Sequence, residues 1–96
     1  MNNTEKILET LRDNKLSLMR KYSISQLAIF GSYSRGDFTH ESDIDIFVTF
    51  NEKIGVKFID LADELSLLLG KKVDLVSSRA IRDKYFKIIE PELIYV

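Results

Sequence analysis

The sequence predicts an α/β (α+β) domain, a small mixed sheet flanked by helices, with residues 1–96 in one folding unit. Two observations predict it. Segments of helical periodicity alternate with short apolar runs, in the order α-β-(α)-β-α-β-α-β. No repeat, low-complexity stretch or linker divides the chain, so its elements share one core.

Each element has its own signal. From Thr4 to Tyr22, the residues Ile7, Leu8, Leu11, Leu18, Met19 and Tyr22 recur at helical spacing, with Asn3 or Thr4 as the cap. Leu27 to Phe30 is apolar, bounded by Gly31, and reads as a strand; Ser32 to Asp37 reads as a turn or short helix. Ile44 to Phe50 alternates as a second strand. Val56 to Leu69 carries Phe58, Ala62, Leu65 and Leu69 on one helical face and stops at Gly70, a natural C-cap. Val73 to Val76 is a third strand. Ser77 or Ser78 then caps a helix running to Glu90, with Ile81, Tyr85 and Ile88 inward. Leu93 to Val96 forms a last strand.

Composition narrows the classes of function. The 14 basic and 15 acidic residues leave a net charge of −1, so no global basic field draws the chain to nucleic acid. Cysteine is absent, which excludes disulfides and thiolate metal sites. The N-terminal segment is polar and lacks a signal core, and no apolar run approaches the roughly 20 residues that span a bilayer. A cytoplasmic location is the expectation.

Two acidic residues stand out at the head of the second strand. Asp43 and Asp45 sit one residue apart in Ser42-Asp43-Ile44-Asp45, where strand chemistry disfavours charge. Alternation points both to one face, with Cα atoms about 6.6 Å apart. Their carboxylates can converge on a cation; without one, like charges on a face repel. An isolated D-x-D reads most simply as a solvated strand entry. It is no EF-hand, because Phe47 and Val48 fall where an oxygen ligand and a glycine are required. Asp74 embeds a third carboxylate in Lys72-Val73-Asp74-Leu75-Val76. Neighbouring strands would put all three acids on one face, an oxygen-rich site suited to Mg²⁺ or Mn²⁺.

Upstream, Gly31 permits a sharp turn and close approach of a ligand, and Ser32 adds a hydroxyl. The amides that follow could form an anion-binding concavity, and Arg35-Gly36 adds a fixed cation before the chain leaves the turn. A phosphate-bearing ligand suits that set, although Gly31, Ser32 and Arg35 taken singly also describe a plain turn. It is not a Walker A loop. His40, the single histidine, reads as a solvated loop residue, and Arg79, Arg82, Lys84 and Lys87 as the wet face of the last helix. Phe30, Phe47, Phe50 and Phe58 read as core.

Together, Gly31-Ser32-Tyr33-Ser34-Arg35-Gly36, Ser42-Asp43-Ile44-Asp45, Asp74 and the terminal Pro91-Glu92-Leu93-Ile94-Tyr95-Val96 resemble the minimal nucleotidyltransferases of the DNA polymerase beta superfamily. Ser34 replaces an alanine common there. The resemblance covers nearly the whole chain and implies that family's fold. It implies that Asp43 and Asp45 ligate two Mg²⁺ ions, with Asp74 completing the metal site nearer the attacking hydroxyl. Gly31 and Ser32 would hold the nucleotide triphosphate, and Arg35 would steady the loop or touch phosphate. The implied reaction is attack of a hydroxyl on the α-phosphorus of ATP, releasing pyrophosphate.

No acceptor-binding domain is present in the chain. The resemblance implies an antitoxin that transfers AMP to a tyrosine of a HEPN-type toxin. The alternatives are a non-enzymatic module that masks its partner and transfer to a small-molecule hydroxyl. The apolar C-terminal strand and small core lean toward a dimer or heterocomplex.

Overall fold

The computed structural model describes residues 3–96. Helix α1 (Asn3–Tyr22) buries Ile7, Leu8, Leu11, Leu18 and Tyr22, the stripe its periodicity predicts. Asn3 and Thr4 lie inside this helix rather than ahead of it, so the position before the first turn falls outside the described residues. The Thr4 hydroxyl instead donates to the Tyr33 carbonyl at 2.7 Å, tying α1 to the segment after the first strand.

Strand β1 (Ile24–Phe30) leads to a single helical turn, α2 (Ser32–Arg35), and then to β2 (Ile44–Phe50). Helix α3 (Lys57–Leu69) ends at Gly70, whose left-handed backbone lets its N–H donate to the Ser66 carbonyl at 2.9 Å. Strand β3 (Val73–Ser77), helix α4 (Asp83–Ile89), a 3-10 turn (Glu90–Glu92) and β4 (Ile94–Tyr95) complete the chain.

The sheet order is β3-β2-β1-β4. β1 runs antiparallel to both neighbours, whereas β2 and β3 are parallel and joined through α3. One face carries Leu27, Ile29, Ile44, Ile46 and Val48, all almost wholly buried with Leu11, Leu18, Leu61 and Leu65 of the helices. Those nine side chains are the centre of the core. The opposite face carries Asp45, Phe47 and Thr49 of β2, with α4 crossing it where Phe86 meets Phe47 at 5.6 Å between ring centroids.

Three expectations need correction. β1 begins at Ile24 rather than Leu27; a register shift between Ile24 and Gln26 breaks the alternation, and exposed Ser25 and Gln26 disguise the strand. Leu61 joins Leu65 as the buried pair of α3, while Phe58 and Leu69 only flank the core. The last helix does not start at Ser77 or Ser78. Ser77 ends β3 and its carbonyl accepts the N–H groups of Ala80 and Ile81, while Ser78 extends the ladder by donating to Val48. The helix starts at Asp83, and Tyr85 and Ile88 face solvent at 60% and 61% exposure, with Phe86 as the inward anchor.

Candidate active site

The site forms where β1 ends and β2 begins. In the parallel β2–β3 ladder Asp45 is the direct partner of Asp74, so both side chains leave the same face of the sheet. Neighbouring strands lie about 4.8 Å apart, which sets the spacing of the two Cα atoms. On the other side Asp45 pairs with Phe30, the last residue of β1. Phe30, Asp45 and Asp74 therefore form one row across three strands.

Asp43 lies just ahead of β2. The Ile44 N–H donates to the Lys72 carbonyl at 3.0 Å, which draws this strand entry against the start of β3. The Lys72 ammonium approaches Asp43 Oδ2 at 3.6 Å. Asp43 and Asp45 are both half-buried, and Asp74 is exposed. Burial pushes the Asp45 carboxyl above its ordinary range, and the negative charges of Asp74 and Asp43 push it further. The opposing pull of Arg35 is weaker.

Gly31 explains how the turn after β1 comes so close to these acids. Its backbone, φ 74° and ψ −152°, belongs to a region that only glycine occupies comfortably. A Cβ at this position would sit 2.1 Å from Asp45 Oδ2, inside any permitted contact. The turn thus closes directly on the Asp45 carboxylate. The Gly31 carbonyl accepts the N–H groups of Ser34 and Arg35 at 3.0 Å, winding α2 and setting Ser32 at its start.

Arg35 points into a salt-bridge pair rather than free solution. Its Nε donates to Asp37 Oδ2 at 3.1 Å and its Nη1 to Glu92 Oε2 at 3.0 Å. Glu92 lies in the terminal stretch that carries the resemblance and Lys72 ahead of the Asp74 strand, yet sequence reasoning gave neither a place in the site. Only the folded topology brings them here. His40 is exposed in its loop, as expected, and it is the His40 carbonyl that accepts a hydrogen bond from Lys71. Phe47 is buried as expected, but against α4 on the site's own face.

The donor set fits a hard divalent cation: three carboxylates, one raised in pKa by the charges of the others, beside the Gly31 turn. Among the described residues no three acidic or imidazole groups are gathered tightly enough to close on an ion unaided. Phosphate oxygens would supply the ligands that the carboxylates leave open. A cavity of about 300 Å³ between α1 and the end of α3, and another of about 320 Å³ beneath α4, both lie away from the three acids.

Such a fold and site define an α/β domain that sets a row of carboxylates beside a glycine-serine turn. The chain belongs to the nucleotidyltransferase domain family, whose model matches residues 5–96. It is 49% identical to a protein of Methanocaldococcus jannaschii named as a candidate protein adenylyltransferase, over the whole of both chains. Its fold matches a solved candidate minimal nucleotidyltransferase with a TM-score of 0.80 and 30% identity, covering 98% of this chain and 95% of the other. It also matches a chain in the structure of a tri-AMPylated Shewanella oneidensis HEPN toxin in complex with an MNT antitoxin. That match has a TM-score of 0.62 and 28% identity, covering 97% of this chain and 67% of the other.

Proposed function

We propose that this chain is a protein adenylyltransferase that transfers AMP from ATP to a tyrosine hydroxyl of a HEPN-type toxin, acting as its antitoxin. The observation that carries the reading is the Asp45–Asp74 pairing directly beneath the Gly31 turn. A module that only masks its partner gains nothing from three repelling acids on one face. The AMPylated toxin in complex with a structurally similar antitoxin supports a protein acceptor. Small-molecule transfer is the weaker reading, because the curated relatives are named as protein adenylyltransferases.

Each residue has a role. Gly31 admits the triphosphate, and Ser32 donates its hydroxyl to a phosphate oxygen. Arg35, engaged by Asp37 and Glu92, steadies the turn and adds positive potential without gripping the phosphates. Asp43 and Asp45 would hold two Mg²⁺ ions, and Asp74 the one nearer the acceptor, where its carboxylate also stands ready to take the tyrosine proton. Bound Mg²⁺ lowers the acceptor's pKa and offsets charge on the leaving pyrophosphate. In the balanced reaction the tyrosine oxygen bonds to the α-phosphorus, the bond to the β-phosphate bridge breaks, and pyrophosphate leaves.

Incubation with ATP, Mg²⁺ and the HEPN partner, followed by mass spectrometry, tests the proposal. Wild type should add AMP units to a partner tyrosine, and Asp43→Asn should not. Toxin inhibition that persists in Asp43→Asn without modification would support masking instead.

A further inference from the structure

Glu92 ends the 3-10 turn that leads into β4. In the β1–β4 ladder Ile94 lies opposite Ile29 and Tyr95 opposite Ala28. Continuing that antiparallel register by two residues sets Glu92 opposite Gly31. The regular ladder has ended there, and the Glu92 side chain takes its place. Oε1 accepts the Gly31 N–H at 3.0 Å, and Oε2 accepts from Arg35 Nη1 at 3.0 Å. The Glu92 backbone carbonyl accepts the Ser34 hydroxyl. One residue thus fastens Gly31, Ser34 and Arg35 together. Its side chain is only 21% exposed, so these contacts are screened less than a surface pair.

Gly31 is consequently held from two directions. Glu92 binds its N–H, and the Asp45 carboxylate lies where a Cβ would project. Transfer chemistry has no use for a further carboxylate here, because a negative charge near a triphosphate repels it. A placing role explains its presence. Resting on the nucleotidyl-transfer reading, we propose that Glu92 is a positioning residue. It fixes the Gly31 amide and the Arg35 guanidinium so that Ser32 keeps the spacing from Asp45 that the nucleotide phosphates require. An opposite role, a carboxylate occupying the phosphates' place until ATP displaces it, predicts the reverse sign. Removing a placeholder would tighten ATP binding, whereas removing a positioning residue loosens it.

The test compares wild type, Glu92→Gln and Glu92→Ala. Binding of a non-hydrolysable ATP analogue with Mg²⁺ is measured by calorimetry, Gly31 amide exchange by NMR, and AMP transfer to the partner by mass spectrometry. Glu92→Ala should bind the analogue more weakly, expose the Gly31 amide to faster exchange and slow transfer about tenfold or more, as misplaced binding groups do. Glu92→Gln keeps an oxygen for the Gly31 N–H and should recover part of each loss. Adding Arg35→Ala to Glu92→Ala should cost less than the sum of the two single changes, since the two side chains share one ion pair. Unchanged or tighter analogue binding with unchanged transfer in Glu92→Ala would overturn the proposal. If Glu92→Ala does not fold, Glu92→Gln decides: weaker binding supports it, and wild-type binding and rate overturn it. A wild type that binds the analogue yet transfers nothing would defeat the transferase reading alone, leaving binding and exchange to judge Glu92.

Discussion

Asp45 and Asp74 stand side by side across the parallel β2–β3 ladder, on the face of the sheet opposite the core. Two carboxylates so placed repel each other, and the partial burial of Asp45 makes that repulsion harder for water to screen. The pairing lowers the stability of the fold. Asp45 and Asp74 would hold a divalent cation, whose positive charge would offset their repulsion.

Replacing Asp45 with Asn should therefore separate activity from folding. Transfer should fall by more than about a hundredfold, since even the outer partners of metal ligands cost 10–100-fold when changed. The variant should still give a cooperative thermal transition, and Asp74→Asn should behave in the same way. Circular dichroism melts alongside a transfer assay check both.

The same pair predicts a pH dependence. The folded Asp45 carboxyl binds its proton more tightly than the unfolded one, whose ordinary value is 3.8. Its unfavourable contribution is complete above the folded pKa, declines as pH falls through that value, and vanishes below the unfolded one. In metal-free buffer Asp45→Asn should be more stable than wild type at neutral pH, and the difference should shrink on acidification. Urea melts across that range measure it. Mg²⁺ with an ATP analogue should raise the wild-type melting temperature and leave Asp45→Asn nearly unmoved.

Gly31→Ala should be among the most damaging small changes. The new methyl meets Asp45 Oδ2 at 2.1 Å, and the backbone there suits glycine only. We expect a loss of about 1–3 kcal/mol in stability. Transfer should nearly vanish, because the overlap displaces Asp45 itself. Chemical denaturation and the transfer assay report the two effects.

Tyr85→Ser and Ile88→Ser, singly, should change stability by less than about 0.5 kcal/mol, as solvent-facing positions do. Phe86→Ala should cost more, because its ring seats α4 on Phe47. Thermal melts of the three variants distinguish this arrangement from one with Tyr85 and Ile88 inward.

Much of the site was legible because its signals are local. Gly31-Ser32, the alternation through β2 and the Gly70 cap each follow from residues a few positions apart. The partnership of Asp74 with Asp45 was a conditional inference, since strand neighbours are chosen by the whole core and a one-residue slip would turn Asp74 away. The start of β1 hid behind polar residues and a register shift. In α4, Tyr85 and Ile88 share a helical face with apolar spacing, yet spacing cannot say which face meets the sheet; the ring of Phe86 settles it. Glu92 reaches Gly31 across 61 positions, a contact that only the β1–β4 pairing creates.

Radiolabelled ATP tests the central claim most directly. With Mg²⁺ and the HEPN partner present, label at the α-phosphate should appear on the partner while label at the γ-phosphate leaves as pyrophosphate. Label arriving from the γ position, or from neither, would contradict nucleotidyl transfer by this site.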